Sequence, residues 1–272
     1  MQAIILAAGA GVRLKKEKNA LPKGLIEIGG KPLLEYSLEA LSRHGITDVI
    51  IAVGFEHQKI RNRFGSSLGN LKIEYVLNEK YAESGSMYSF ALVQDFIEDE
   101  IILLESDLIY EPRAINKLLT AHHKNCILAT ALSGSGDEVY ICTNDKQQIT
   151  ELGKGIPLDR RKYAIGELAG ISRYESNFLD SVFKKFRNDI AAGNIDSHYE
   201  SVIFETSKST EPVYALFADD LLWYEIDTDI DLTKAREVIY PMIRGKLPLN
   251  LRSVSSNEGQ GVGLLHGEIQ RK

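Results

Sequence analysis

Short runs of apolar residues alternate with stretches of helical periodicity along the first hundred residues of this chain. The apolar runs predict strands at residues 3–7, 49–53, 73–76 and 101–104, and the periodic stretches predict helices at 33–44, 57–64 and 87–96. A continuous apolar run of this length is typical of a strand that is buried on both faces. The alternation therefore predicts an α/β fold with a doubly wound, mainly parallel sheet, in which ligands bind beyond the carboxyl ends of the strands.

The pattern changes after Pro112, where strands follow one another at hairpin spacing and are expected to be mixed or antiparallel. Helices are predicted at 113–123, 175–191, 198–207 and 231–243, and strands near 126–132, 138–142, 147–152, 163–172, 213–217 and 222–226, the last two closing the sheet. Residues 1–244 are thus expected to form one domain. Residues 245–272 lack periodicity, and we expect an irregular tail or an arm that reaches a second copy in a homodimer.

The first strand runs directly into a turn of small residues. The turn and its flanks read Leu6, Ala7, Ala8, Gly9, Ala10, Gly11, Val12 and Arg13. Gly9 and Gly11 allow the backbone to approach phosphates and to adopt positive φ. Arg13 offers a planar fork to phosphate oxygens, and Lys23 offers a point charge near a reacting phosphorus. We interpret these residues as a nucleoside triphosphate site, with Arg13 and Lys23 as its catalytic cations.

Other interpretations of this turn fit the residues less well. A dinucleotide-binding fingerprint requires a third glycine where the helix packs on the strand, but that place falls within Val12-Arg13-Leu14, which contains no glycine. A P-loop requires Gly-Lys-Ser/Thr at the start of a helix, and Gly24 is followed by Leu25. An ordinary glycine turn would leave Arg13 and Lys23 unexplained.

Carboxylates end two apolar strands that are far apart in the sequence. Asp107 follows the strand at 101–104, and Glu225 and Asp227 end the strand at 222–226. Because strand side chains alternate between faces, Glu225 and Asp227 lie on one side. Helix capping or strand-end solvation could explain each acid alone. Together with a phosphate-binding turn, they indicate a Mg²⁺ site formed by Asp107, Glu225 and Asp227.

These motifs resemble a known enzyme class. L-A-A-G-x-G-x-R-L, followed by P-K and G-G-K-P-L-L, resembles the GT-A-like nucleotidyltransferases, which join a nucleoside triphosphate to a phosphorylated acceptor and release pyrophosphate. Residues 224–227 and 78–82 are similar to bacterial phosphocholine cytidylyltransferases, and residues 104–108 to cytidylyltransferases that act on aminoethylphosphonate. The resemblance implies a Rossmann-like GT-A fold, CTP as donor, Mg²⁺ on Asp107 and Asp227 with Glu225 beside them, and a base pocket at residues 84–88.

The base and acceptor pockets are less well defined by the sequence. Ser84-Gly85-Ser86 stands where those relatives usually have a pair of Asn, and it also resembles the small-residue turn of sugar-phosphate nucleotidyltransferases. Gly85 permits close backbone approach to a base, and Ser86 is expected to cap the next helix. Ser106 completes the nucleotide site beside Asp107. The acceptor site is expected to include Lys154, Glu167 and Tyr224. The alternatives are a solvated turn lysine for Lys154 and core packing for Tyr224.

Composition excludes several other classes of function. The chain has 272 residues and a formal charge of -6, 44% of its residues are hydrophobic, and it contains no block of Lys and Arg. We therefore expect no nucleic-acid partner, no membrane partner and a cytoplasmic enzyme whose cysteines are reduced. The predicted reaction transfers CMP from CTP to a small phosphate or phosphonate acceptor. The alternatives are a sugar-1-phosphate nucleotidyltransferase that uses UTP, GTP or dTTP, and a regulatory protein that only binds nucleotide.

Overall fold

The computed structural model describes residues 1–11, 13–14 and 21–245. Its strands are β1 (Gln2–Ala7), β2 (Glu27–Ile28), β3 (Lys31–Pro32), β4 (Asp48–Val53), β5 (Ser67–Leu68), β6 (Leu71–Leu77), β7 (Ile101–Glu105), β8 (Leu108–Tyr110), β9 (Cys126–Thr130), β10 (Tyr140–Thr143), β11 (Ile149–Gly153), β12 (Gly166–Tyr174), β13 (Tyr214–Phe217) and β14 (Trp223–Glu225). Its helices are α1 (Leu33–Arg43), α2 (His57–Phe64), α3 (Ser86–Ala91), α4 (Arg113–Leu119), α5 (Leu158–Arg161), α6 (Ser176–Ala191), α7 (Tyr199–Ser207), α8 (Asp229–Lys234) and α9 (Tyr240–Ile243), with a π-helical stretch at Ala235–Ile239.

Ten strands form one large sheet. At its centre β7, β1, β4 and β6 are neighbours and parallel, with Ala3 of β1 opposite Val49 of β4 and Ile102 of β7. On the far side of β7, the long strand β12 is antiparallel to β7, β9 and β10. The central carboxyl ends therefore share one edge, and the predicted doubly wound sheet with a mixed second half is confirmed.

The central strands are buried on both faces. In β1, Ala3 and Ile5 pack into a cluster with α1, α2 and α4. Ile4 and Leu6 enter a second cluster with α3, α6 and α7. Because neighbouring strand residues point to opposite faces, these clusters are the two layers of a doubly wound fold. This double burial explains why the strands read as continuous apolar runs.

The strand predicted at 222–226 does not close the large sheet, so that prediction was wrong. Residues Trp223–Glu225 instead pair antiparallel with Leu108–Tyr110 in a separate two-stranded sheet, and Glu225 lies opposite Leu108. The backbone N–H of Ile226 also donates to the carbonyl of Asp107 at 3.0 Å. The chain turns at Ser106 and Asp107 after leaving the large sheet, and its next three residues form a new edge. This ladder brings residues 225–227 beside Asp107.

Two predicted helices are shorter than expected. The helix predicted at 87–96 covers Ser86–Ala91 and is followed by a 3₁₀ turn at Gln94–Phe96, and the one predicted at 113–123 ends at Leu119. At that end the Thr120 hydroxyl donates to the carbonyl of Asn116 at 2.8 Å. The predicted tail lies outside the described residues from position 246 onward. Within the described ranges, no helix has the length and apolar character needed to cross a membrane.

Candidate active site

A cleft of about 840 Å³ opens at the carboxyl edge of the central strands. It is bordered by the turn after β1, the ends of β7 and β14, the loop between β9 and β10, and the start of α8. The cleft brings together most of the predicted site residues, namely Leu6, Ala8, Gly9, Gly11, Arg13, Lys23, Ser84, Gly85, Ser86, Ser106, Asp107, Lys154, Glu167, Tyr224, Glu225 and Asp227. Ala7 instead packs into the core, Ala10 does not line the cleft, and Val12 lies outside the described residues.

The two glycines of the turn differ in what they require. Gly11 has a φ of +58°, and a Cβ built on it would lie 2.8 Å from Cγ of Lys23. A side chain at position 11 would therefore be strained by the backbone and would collide with the lysine stem. Gly9 does not have a positive φ, and apart from its own chain neighbours no atom of the described residues lies within 4 Å of the place of its missing Cβ. Of the two glycines, Gly11 has the left-handed conformation that the sequence predicts for this turn and Gly9 does not.

Lys23 lies between two carboxylates. Its Nζ is 2.7 Å from Oδ2 of Asp107 and also pairs with Asp227. Burial lowers the pKa of Lys23, but the attraction of Asp107 and Asp227 outweighs burial and raises that pKa above its ordinary value. The lysine side chain is 15% exposed. It is therefore a cation held at the base of the cleft.

Arg13 is the second predicted cation and lies nearer the solvent. Its guanidinium contacts Asp137 at 2.9 Å and Asp227 at 3.0 Å. The hydrogen bond with Asp137 is the main cause that raises the pKa of Arg13. Asp227 therefore connects Arg13 and Lys23, and the three side chains form a charged chain along one wall.

Three carboxylates converge beside Lys23. One oxygen from each of Glu105, Asp107 and Glu225 lies within 4.8 Å of the other two. Burial, followed by repulsion from Asp107, raises the pKa of both Glu105 and Glu225. Such crowding favours a bound cation, and the all-oxygen donor set is what Mg²⁺ prefers. The structure thus brings together Asp107 and Glu225 of the predicted set, while Asp227 pairs with Lys23 and Arg13.

Glu105 was not predicted as a site residue. It ends β7, and its Oε1 accepts a hydrogen bond from the Tyr199 hydroxyl at 2.8 Å. The sequence contained a pattern that could have indicated this role, because Glu105 and Asp107 are two residues apart at the end of a strand, as Glu225 and Asp227 are. A Cβ at Gly170, where φ is +69°, would approach the Glu105 carboxyl carbon to 3.1 Å. The missing side chain at Gly170 therefore leaves space for the Glu105 carboxylate.

The segment at 84–86 is shaped by the chain that faces it. A Cβ on Gly85 would lie 2.2 Å from the carbonyl oxygen of Ser197, so this glycine is required by backbone packing. Ser86 does not cap the helix that follows it, because it is the first residue of α3. Its hydroxyl accepts instead from the backbone N–H of Tyr199 at 3.0 Å. The expected cap at Ser86 was wrong, and the role of 84–86 as a base pocket stays a prediction.

The predicted acceptor residues line the cleft, and each has a protein partner. Lys154 pairs with Asp137 at 2.8 Å. Glu167 accepts from the backbone N–H of Ser133 at 2.7 Å and from its hydroxyl at 3.2 Å. Burial raises the pKa of Glu167 to about 7. The Tyr224 hydroxyl donates to Asp231 at 2.9 Å.

The sequence is similar to a family of known proteins and to individual characterised enzymes. The sequence profile described as the MobA-like NTP transferase domain matches residues 3–142. The choline-phosphate cytidylyltransferase of Streptococcus pneumoniae is 25% identical over 240 residues, which cover 88% of this chain and 98% of that protein. The CMP-5'-(3-aminopropyl)phosphonate synthase of Streptomyces rubellomurinus is 30% identical over 130 residues, covering 48% of this chain but only 21% of that longer protein.

The fold also resembles that of solved structures. The inositol-1-phosphate CTP transferase from T. maritima superposes with a TM-score of 0.73 at 21% identity, over 90% of this chain and 95% of that one. The superposition covers 90% of this chain, which is more than the residues 3–142 that the family profile matches.

Proposed function

This chain belongs to the family of MobA-like NTP transferase domains, and we propose that it transfers CMP from CTP to a small acceptor that carries a phosphate or phosphonate. The observation that carries the proposal is the convergence, in one cleft, of the turn after β1, Lys23 and carboxylates from two distant segments. Similarity to a choline-phosphate cytidylyltransferase over 88% of the chain supports CTP as the donor and this kind of acceptor.

In the proposed reaction, an oxygen of the acceptor phosphate or phosphonate attacks the α-phosphorus of CTP. A new P–O bond forms as the bond to pyrophosphate breaks. The attacking oxygen is already an anion, so the protein needs no strong general base. Catalysis then rests on aligning the reactants and on stabilising negative charge.

The cations of the cleft provide this stabilisation. Lys23, kept protonated by Asp107 and Asp227, would offset charge on the attacking anion and on the α-phosphate. Arg13 and the backbone amides of the turn would hold the β- and γ-phosphates, since Gly9 leaves open space above the backbone. Reaching a phosphate requires Arg13 to exchange its carboxylate partners for phosphate oxygens.

The carboxylate cluster fits a divalent cation. Glu105, Asp107 and Glu225 would hold Mg²⁺. Asp227 is connected to this cluster by Lys23, which pairs with both Asp107 and Asp227. When bound, the ion would supply positive charge to the phosphate oxygens of the nucleotide. Asp227 stays a predicted ligand, because Lys23 pairs with both its carboxylate and that of Asp107, a member of the cluster.

The acceptor is expected beside the loop between β9 and β10. Lys154 would face its phosphate, and Glu167 and Tyr224 line the same part of the cleft. Because Glu167 and Tyr224 already bond to Ser133 and Asp231, they would mainly shape this pocket. A sugar-1-phosphate acceptor is the second candidate, because Ser84-Gly85-Ser86 resembles the turn of those enzymes.

Pyrophosphate release tests the proposal directly. The purified protein would be assayed with MgCl₂ and CTP, UTP, GTP or dTTP, each with phosphocholine, 2-aminoethylphosphonate, inositol 1-phosphate or glucose 1-phosphate. We expect release with CTP and a phosphocholine- or phosphonate-type acceptor. Release only with a sugar phosphate would favour the second candidate, and binding of CTP without release for any pair would contradict transfer.

Lys23→Ala tests the role of the central cation. We expect kcat to fall by roughly 10²–10³, as for removal of one transition-state hydrogen-bond donor. Lys146→Ala is the matched control, since this exposed lysine lies in the turn between β10 and β11. Circular dichroism would verify that both variants are folded. Unchanged turnover of Lys23→Ala would exclude the proposed role.

A further inference from the structure

One carboxylate holds two cations at the entrance of the cleft. Oδ2 of Asp137 is 2.9 Å from Nη1 of Arg13, and its Oδ1 is 2.8 Å from Nζ of Lys154. Arg13 belongs to the turn after β1, whereas Lys154 follows β11. Asp137 therefore bridges two segments that are far apart in sequence, and it uses both of its oxygens to do so.

The bridging residue lies on the loop between β9 and β10. This loop is held by Glu167, which binds Ser133, and near its other end Glu138 accepts from the Tyr140 hydroxyl at 3.2 Å. Between these anchors, Gly134 and Gly136 have φ angles of +71° and +83°, and nothing lies within 4 Å of the places of their missing Cβ atoms. Side-chain packing does not fix the loop at these two glycines. The backbone N–H of Asp137 donates to the Ser135 hydroxyl at 3.2 Å, and its carboxylate is held by the two ion pairs.

These ion pairs are accessible to water. The side chains of Arg13, Lys154 and Asp137 are 52%, 49% and 37% exposed. Exposed pairs stabilise a protein only slightly, because water screens both charges. A polyanion that offers several oxygens to the same cations would therefore displace a single carboxylate.

We propose that Asp137 is an intramolecular competitor for substrate phosphate, occupying Arg13 until a nucleoside triphosphate displaces it and Lys154 until the acceptor phosphate does. This inference rests on the proposed function, which assigns Arg13 to the triphosphate and Lys154 to the acceptor phosphate. The carboxylate of Asp137 thus pairs with one cation assigned to the triphosphate and with another assigned to the acceptor. A triphosphate that takes Arg13 would leave Asp137 paired with Lys154, so this one carboxylate contacts both subsites and competes in each with a different substrate.

Asp137→Asn tests this inference because it removes the charge and keeps the shape. We expect the dissociation constant for CTP, measured by isothermal titration calorimetry, to fall roughly 1.5- to fivefold, as estimated from the loss of the one exposed pair that competes for Arg13. Cytidine, which has no phosphates, should bind both proteins equally. In an Arg13→Ala background the gain from Asp137→Asn should shrink, because Arg13 is the cation for which Asp137 competes with CTP, its pair with Asp227 being the same in both proteins.

Asp145→Asn is the matched control. Asp145 is exposed and lies in the turn at the opposite end of the β10–β11 pair, so the same change of charge there should leave CTP affinity unaltered. Thermal denaturation would verify folding, and Asp137→Ala provides a second variant. If wild-type protein binds CTP and Asp137→Asn binds it equally or more weakly, the competitor role is overturned and the proposed function stands. If neither protein binds CTP, both are overturned.

Discussion

The position of Lys23 depends on a residue that has no side chain. Gly11 adopts a left-handed backbone conformation, and the Cγ of Lys23 occupies the space where a β-carbon would be. The lysine stem therefore packs directly on the backbone of the turn. This contact joins the phosphate-binding turn to the cation that faces Asp107 and Asp227.

Gly11→Ala is expected to damage both stability and turnover. The left-handed conformation costs a residue with a β-carbon about 1–2 kcal/mol, and the new methyl group would push Lys23 away from its carboxylates. Because a displacement of about 1 Å can cost roughly 100-fold in rate, we expect kcat to fall by up to that factor. Chemical denaturation and the pyrophosphate assay measure the two effects.

The neighbouring glycine provides the control for this change. Gly9→Ala adds the same methyl group where φ is not positive and nothing lies within 4 Å. Its free energy of unfolding should stay within about 0.5 kcal/mol of wild type. Equal stability of the two alanine variants would contradict the conformational requirement at Gly11.

At the scale of secondary-structure elements, the pairing of β8 with β14 brings the acidic cluster together. Residues of α3 line the cleft beside this cluster. The start of α3 packs against residues 195–197, which precede α7, through hydrogen bonds from Gly85 N–H to Ile195 and from Met87 N–H to Ser197 at 2.9 and 3.1 Å. Tyr199, the first residue of α7, then reaches Glu105. The predicted base segment is thus connected through α7 to the carboxylate cluster.

Gly85→Ala tests this connection between elements. A methyl group there would overlap the carbonyls of Asp196 and Ser197, so α3 and the 195–197 segment must separate. We expect a loss of about 1–3 kcal/mol in the free energy of unfolding, which is typical of overpacking. Gly155→Ala is the control, because its added methyl group meets nothing within 4 Å. If both variants unfold at the same denaturant concentration, the close packing at Gly85 is not essential.

For the molecule as a whole, negative charge is concentrated where a polyanion is expected to bind. The formal charge is -6, and the carboxylates of the cleft lie among the few cations that the proposal assigns to phosphates. This arrangement favours ligands that bring a divalent cation. It also makes stability depend on pH, because several of these acids are buried.

Glu167 provides the clearest pH dependence. Burial raises its pKa from 4.5 to about 7 in the folded protein, so the folded state binds more protons than the unfolded state between these values. The resulting stabilisation is complete below pH 4.5 and is lost as pH rises through about 7. Relative to Glu167→Gln, wild type should lose up to about 3 kcal/mol in the free energy of unfolding between pH 4.5 and 8. Urea denaturation at several pH values measures this difference, and parallel pH profiles would refute it.

The sequence by itself determined the parallel core of the fold and the chemical character of the site. Continuous apolar runs predict strands buried on both faces, because only such strands need no polar face. Two local features of the sequence indicate the site. The turn around Gly9 and Gly11 allows the backbone to approach a phosphate, and the acids that end strands place negative charge at the edge of a sheet. These features depend on neighbouring residues, so they can be recognised in a linear sequence.

Only the tertiary structure decided which groups meet. β14 pairs with β8 and not with an edge of the large sheet. Local sequence does not decide between these partners, because either strand edge can form the same backbone hydrogen bonds. That choice joins Glu225 to Glu105 and Asp107, and leaves Asp227 to Lys23 and Arg13. The bridge from Arg13 through Asp137 to Lys154 likewise joins three segments, and no local pattern encodes it. Charged contacts of this kind depend on distances in space, which sequence spacing does not specify.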